Sequence, residues 1–362
     1  MTQKYFKQSI DHFNAYNTAT TFNQRWFYDT TYWNGAHNNG PFLFQAGGEG
    51  QNNGYIYPFV TELAQQVGGL LLTAEHRFYG ESRPFGNVNS YKNDASHLGL
   101  LQVEQAMADY MVLMTYLKNE YFNCTTCPVI VFGGSYPGEL AVWLRMKYPH
   151  MFDIALGASA PIFYTAGNLV DPYAYYQIIT NAAQKYGDSC VTAVKLGYQA
   201  IVSSTNKEIT QGIPLCSELP DDINAGLYEL YALLYENWAN LGMGNYPPAT
   251  SPMKSICNKI SGLKDGLTIV STILNGYKTS KGCVDLSSEV PAGKDGTIHC
   301  SDLTGCGTGY DGESWDYQAC SQNIEPFATN NETDMFPVFA WNTTWLDNHC
   351  MNRFGIKATE RQ

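Results

Sequence analysis

The amino-acid sequence predicts an α/β protein: a doubly wound sheet into which a mostly helical, disulfide-linked domain is inserted. Three observations carry that expectation. Residues 22–160 alternate short apolar runs with segments of helical period. Within them the octapeptide FGGSYPGE, Phe132 to Glu139, joins an apolar run to a helical pattern through a glycine-rich turn. From about residue 162 to 310 buried-strand runs become rare, and tyrosine-rich helical stretches take their place, separated by cysteines and Gly/Ser/Pro turns.

The elements follow in order. FNQRWFYDTTYW alternates as an outer strand does, and PFLFQAGG reads as a buried strand ending in glycines. YPFVTELAQQVG makes a short helix and GLLLTAEHR the next strand. A long helix is expected in the stretch that starts GLLQVEQAMADY, apolar or small at Leu101, Ala108, Met111, Val112, Thr115 and Tyr116. PVIVFGGS is then a buried strand, LAVWLRMKYPHMF a helix and DIALGASAP a further strand. Ligands of such a sheet gather at the C-terminal ends of its strands. Helices are expected again in DPYAYYQIITNAAQKYG and NAGLYELYALLYENWANLG. No repeat of 20–50 residues and no low-complexity linker interrupts the chain.

Ser135 is the candidate nucleophile. A serine on a sharp strand-to-helix turn is the nucleophile elbow of an α/β-hydrolase, with its hydroxyl raised above the sheet edge. The helix that follows aims first-turn N–H groups at the same point, where an oxyanion would be stabilised. The usual spacing is G-x-S-x-G; here Pro137 takes the last position and Gly138 follows it. Proline is tolerated in a first helical turn, where its missing N–H has no intrahelical acceptor. The competing reading is a tight turn that merely needs small residues.

The neighbouring motifs point to a family. FGGSYPGELAVWLRMKYPHMF, ALGASAP at 155–161, EHRFYGES at 75–82, GGEG at 47–50 and VEQAMADY at 103–110 occur together. FKQSIDHFN and FNQRWFY open the chain, and WDYQAC at 315–320 and NHCMNRFG lie near its end. Across nearly the whole length this resembles the proline-specific serine exopeptidases that include lysosomal Pro-X carboxypeptidase, dipeptidyl peptidase II and thymus-specific serine protease. The resemblance implies an α/β-hydrolase domain in two pieces: residues 1–161, then a helical cap over 162–314, then a return segment over 315–362. It implies a bridge between Cys320 and Cys350. The family counterpart of Cys190 pairs with a position that is Ala328 here. The family's triad runs Ser, Asp, His, the last two in N-G-x-x-D-P-W-like and H-x-x-D-like motifs. Neither motif occurs in these 362 residues, so neither a catalytic Asp nor a catalytic His is assigned. The expectation is a sequence without its C-terminal catalytic part and inactive on its own, because a serine without a base is a poor nucleophile.

Composition narrows the function classes. A net charge of −12 argues against nucleic acid, whose phosphates would be repelled. No run of about 18 apolar residues suggests a membrane span. Ten cysteines favour disulfides and an oxidising compartment. Three N-x-S/T sequons, at Asn123, Asn331 and Asn342, point the same way. Lysosomal or vacuolar residence, or secretion, is expected, although MTQKYFKQS is not a signal peptide and a leader before Met1 is therefore expected.

GGEG ends a strand where the first oxyanion loop of an α/β-hydrolase lies. The expected donors are the backbone N–H of Tyr136 and one from Gly48 or Glu49. The alternative for GGEG is a flexible turn. The Glu49 carboxylate could hold a substrate's α-amino group, or it is simply solvated. His150, His299 and His349 follow Ser135 in the order the triad requires, but each is expected in a structural or surface role. His76 is expected to be a buried, hydrogen-bonded scaffold residue. CTTC at 124–127 is either a local disulfide or two separate thiols, since a second ligand pair for zinc is missing. No metal and no cofactor is expected. The functional expectation is a serine exopeptidase whose partner is a peptide with proline near one terminus. Two alternatives stand beside it: an esterase or lipase on the same fold, and a non-catalytic peptide-binding glycoprotein. Oligomeric state and the choice between carboxypeptidase and dipeptidyl peptidase stay open.

Overall fold

The computed structural model describes residues 1–14, 20–86, 95–165, 169–219, 223–286, 300–307 and 309–358. The chain divides into two compact units, Met1–Thr165 with Tyr310–Gln318, and Ala166–Gly309 with Ala319–Gln362.

The first unit is built on a six-stranded sheet. Its strands are β1 (Thr2–Ser9), β2 (Thr21–Asp29), β3 (Phe42–Ala46), β4 (Leu70–Ala74), β5 (Val129–Gly134) and β6 (Ile154–Ala158), in the spatial order β1-β2-β4-β3-β5-β6. β4, β3, β5 and β6 are parallel; β1 and β2 are antiparallel additions at one edge. Every residue of β3 and β4 is buried. That is why FLFQA and LLLTA read as unbroken runs: a parallel strand is covered on both faces. Helices α1 (Pro58–Val67), α2 (Ala95–Leu98), α3 (Val103–Tyr116), α4 (Tyr136–Lys147) and α5 (Ile162–Thr165) belong to this unit. On one face Val60 and Ala64 of α1 pack with Leu43, Leu71 and Phe132. Phe44, one residue on and therefore pointing the other way, meets Tyr110 of α3.

FNQRWFYDTTYW, expected as an outer strand, is instead second from the edge, because TQKYFKQS pairs outside it from Thr2↔Tyr28 to Ser9↔Thr21. β6 ends the other side and is largely exposed.

The second unit carries α6 (Ala174–Gln184), α7 (Asp188–Ser203), α8 (Asn206–Gly212), α9 (Ile223–Met243), α10 (Pro252–Ile260) and α11 (Gly266–Ile273). α12 (Gly309–Ser321) lies mostly in the first unit, and α13 (Thr343–Phe354) lies in the second. The tyrosines form the core of the second unit: Tyr176, Tyr198 and Tyr235 gather around Phe336. Buried hydroxyls need partners; Tyr176 donates to Leu303 O at 3.0 Å and Tyr235 to Pro337 O at 3.0 Å.

Of the segment 315–362, expected to return to the sheet domain, only the stretch through Gln318 clusters with the first unit. Beyond it, the Ala328 N–H donates to Pro172 O and the Met335 N–H to Thr180 Oγ1. These bonds and the burial of Phe336 tie the remainder to the helical unit.

All ten cysteines are paired, as Cys124–Cys127, Cys190–Cys257, Cys216–Cys283, Cys300–Cys306 and Cys320–Cys350. Cys190, without a partner at position 328, takes Cys257 from α10. Asn123, Asn331 and Asn342 are all exposed, and Asn342 caps α13 by accepting from the Trp345 N–H at 3.1 Å. Among the described residues no helix is long and apolar enough to cross a membrane.

Candidate active site

Ser135 follows β5 directly and is the N-cap of α4. Its backbone has φ 57° and ψ −134°, a region that L-residues with a side chain avoid and that recurs at functional turns. The turn is held from both sides. The Ser135 N–H donates to Ala158 O at 3.0 Å, and Ser135 O accepts from the Gly138 and Glu139 N–H groups at 2.8 and 3.2 Å. The side chain is exposed. Within the described residues of the first unit, no group hydrogen-bonds its hydroxyl.

The displaced glycine of the elbow has a structural explanation. A Cβ at Gly133 would collide with the Pro137 carbonyl, so the strand must be bare where the helix turns back over it. A Cβ at Gly138 would come within 3.1 Å of both Gly133 O and Ala160 Cβ. The close approach between helix and strand is thus made at position 138, and 137 is free to carry a ring. Pro137 in turn packs against Gly48, where any Cβ would strike its Cγ. This contact lays the GGEG loop across the first turn of α4. Tyr136 is the first residue of that turn, so its N–H is among the donors presented at the helix N-terminus.

The loop is supported from below. Tyr110 donates to Gly47 O at 2.9 Å. Gln45, at the end of β3, donates to Tyr55 O and accepts from the Tyr57 N–H at 3.0 and 2.8 Å. Asn52 donates through its backbone to Glu75 and through its side chain to Thr73. A cleft of about 360 Å³ opens there, bordered by the GGEG loop, Asn52, Tyr55, Tyr57 and Pro137. A Cβ on Gly134 would lie 3.1 Å from the Tyr57 hydroxyl, which places that phenol one residue from Ser135. Tyr57 has no local sequence signal; it sits in a loop and only the fold brings it to the elbow.

Glu139 was also missed. An acid in a first helical turn is ordinarily a solvated partner of the helix dipole, and nothing in FGGSYPGE marks this one as different. Its side chain is fully buried. Oε1 accepts from Thr165 Oγ1 at 2.8 Å, and Oε2 has no hydrogen-bond partner. Burial pushes its carboxyl up from 4.5 to about 7; the nearby Glu49 charge adds to this, and the Thr165 bond opposes it. The folded protein therefore holds a proton on Glu139 that the unfolded chain releases near pH 4.5. The resulting stabilisation is complete below that pH and is lost as pH rises through about 7. Glu139→Gln keeps an oxygen for Thr165 and does not titrate. Urea unfolding at pH 4.5, 6 and 8 should show the variant gaining on the wild type as pH rises, by on the order of 3 kcal/mol at pH 8. Parallel stability profiles would mean that Glu139 is already ionised at pH 6.

The histidines fall as follows. His76 is fully buried beside the elbow. His150 is exposed after the end of α4, and His349 is buried in α13 of the second unit. His299 lies outside the described residues. CTTC is a local disulfide.

Residues 8–362 match the family model described as serine carboxypeptidase S28. The chain is 35% identical to lysosomal Pro-X carboxypeptidase of Homo sapiens over 379 residues, covering 98% of this chain and 71% of that protein. It is 33% identical to the Mus musculus protein of the same name, with the same coverage. Prolyl carboxy peptidase like protein 5 of Caenorhabditis elegans is 30% identical, covering 89% of this chain and 64% of its own length. Among solved structures, prolyl oligopeptidase B from Galerina marginata overlaps 44% of this chain and 20% of its own, with 15% identity and a TM-score of 0.30. That overlap is too slight to bear on function. With its elbow serine, its α/β-hydrolase sheet and a family match over nearly all of its length, the chain belongs to the serine carboxypeptidase S28 family and is a serine-type peptidase.

Proposed function

We propose that this protein is an exopeptidase that cleaves peptide bonds beside proline through an acyl-enzyme on Ser135. The observation that carries the reading is the exposed serine at φ 57° with the GGEG loop laid across the helix N-terminus behind it. In this reading Ser135 Oγ attacks the scissile carbonyl. The oxyanion is received by the Tyr136 N–H and by one from Gly48 or Glu49, each donor worth about 3 kcal/mol in the transition state. The Glu49 carboxylate borders the cleft, where it faces a substrate's α-amino group in a dipeptidyl peptidase; in a carboxypeptidase it serves only the loop. Tyr55, Tyr57 and Pro137 supply aromatic and apolar surface suited to a prolyl ring, which has no N–H to satisfy. The names of the relatives support proline beside the cleaved bond. Five disulfides, three exposed sequons and lysosomal relatives support a lysosomal or secreted setting.

The test is kcat/KM on matched peptides with proline or alanine contributing the scissile carbonyl, beside a short-chain ester, using the protein purified as the cell makes it. Proline should be preferred by roughly 10–200-fold, the worth of the lost apolar ring surface. Equal rates on both peptides would reject the proline preference. Ester cleavage without peptide cleavage would favour an esterase, and binding of both peptides without any cleavage a non-catalytic binding protein.

A further inference from the structure

Beneath the elbow lies a chain of side-chain hydrogen bonds that neither the triad nor the oxyanion hole requires. His76 Nδ1 is 2.7 Å from Arg77 O, and His76 Nε2 is 2.9 Å from the Tyr136 hydroxyl. Gln318 Nε2 donates to the same hydroxyl at 2.9 Å, and Tyr79 donates to Gln318 Oε1 at 2.5 Å. All four side chains are buried, none more than 1% exposed.

The partners set the direction of every bond. A backbone carbonyl only accepts, so the His76 proton sits on Nδ1. Nε2 of the neutral ring is then an acceptor, and the Tyr136 hydroxyl must donate to it. The hydroxyl oxygen is left to accept from the Gln318 amide, whose carbonyl accepts from Tyr79. The bonds thus run in one sense, from Tyr79 through Gln318 and Tyr136 to His76, an arrangement in which they polarise one another. Burial favours the neutral imidazole, holding its pKa down at about 4. Trp315 adds a ring contact to Tyr136 at 5.4 Å, and His76 one at 5.6 Å.

We propose that His76, Gln318 and Tyr79 are positioning residues for acyl transfer, clamping the Tyr136 side chain so that its backbone N–H stays aimed at the oxyanion. The inference rests on Ser135 being the nucleophile. Tyr136 is the residue directly after it, and its peptide plane is part of a turn held at an unfavourable φ. A turn in that region relaxes unless its surroundings over-determine it. Here the ring of Tyr136 is fixed by the turn at 76–79 and by α12, which are 60 and 182 residues away along the chain. Tyr136 is therefore the point where three separate segments meet.

Two measurements test this on the full chain. In a histidine-15N-labelled sample at neutral pH, His76 should show a protonated Nδ1 and a hydrogen-bonded, unprotonated Nε2. Its Nε2 resonance should move in Tyr136→Phe. In the second measurement Ser135 is phosphonylated with a fluorophosphonate, whose phosphoryl oxygen occupies the oxyanion position. Tyr136→Phe and Gln318→Met, both near-isosteric, should lower the maximal labelling rate roughly 10- to 100-fold and leave the reagent's half-saturation concentration unchanged. A merely structural bond would lower thermal stability without splitting the two constants. An Nε2–H tautomer, or wild-type labelling rates in both variants, would overturn the proposal while the nucleophile reading stands. If the wild-type protein does not label at all, the nucleophile reading fails, and the role of the chain in acyl transfer fails with it.

Discussion

Ser135→Ala is expected to abolish fluorophosphonate labelling and to lower hydrolysis of prolyl peptides by roughly 10³-fold or more, with the fold intact. The hydroxyl makes no hydrogen bond within the described part of its unit, so its removal leaves nothing buried and unsatisfied. Alanine keeps the Cβ, and with it the backbone conformation at φ 57° that the Ala158 and Gly138 bonds enforce. The melting temperature should therefore stay within a degree or two, corresponding to less than about 0.5 kcal/mol. Labelling that persists in the variant would place the reactive group on another residue. A large drop in melting temperature would mean that the hydroxyl braces the turn.

The second large effect is on stability. Asp109→Ala should destabilise the protein by about 3–5 kcal/mol, because it leaves the Arg77 guanidinium as an uncompensated charge in the interior. Both side chains have no exposed surface. Arg77 grips the carboxylate with Nε and Nη2 at 2.7 and 2.8 Å, and its remaining donors reach the carbonyls of Ser9, Ile10 and Leu100. His12 adds a contact at 2.7 Å. The cluster fastens the end of β1 to α3 and to the EHRFYGES turn. Burial pushes the Asp109 carboxyl up, but Arg77 overrides it and holds the carboxyl below its ordinary value. The stabilisation from the pair is therefore present at neutral pH and fades as acid protonates the carboxylate. Urea unfolding at pH 7 measures the loss. Replacing both partners, as Arg77→Met with Asp109→Leu, should cost less than Asp109→Ala alone, since no charge is then stranded. A loss under 1 kcal/mol for Asp109→Ala would mean that water enters to solvate Arg77.

Several features of this molecule could be read from local pattern alone. β3, β4 and β5 were legible because strands covered on both faces must be apolar throughout. The elbow was legible because the spacing of Gly133, Ser135 and Gly138 answers to sterics within one turn of chain. β1 was not legible. TQKYFKQS lies at the edge with mostly exposed side chains, and an edge strand with water on its side chains carries little period-2 signal. The disulfide partners were equally hidden. Cys190 and Cys257 are 67 residues apart, as are Cys216 and Cys283, and sequence spacing does not encode such pairings.

By itself the sequence determined the α/β class, the family and the identity of the candidate nucleophile, because each is written in short contiguous motifs whose chemistry is local. The tertiary structure alone decided what surrounds that serine. Glu139 keeps its proton only because folding takes its carboxyl out of water beside Glu49. Tyr57 reaches the elbow only because Gln45 ties down its loop. The direction of the His76–Tyr136–Gln318 chain exists only because three segments far apart along the polypeptide pack these buried groups within hydrogen-bonding distance of one another. A group's proton and partner depend on its dielectric surroundings and on atoms within about 3 Å, and those are properties of the folded chain.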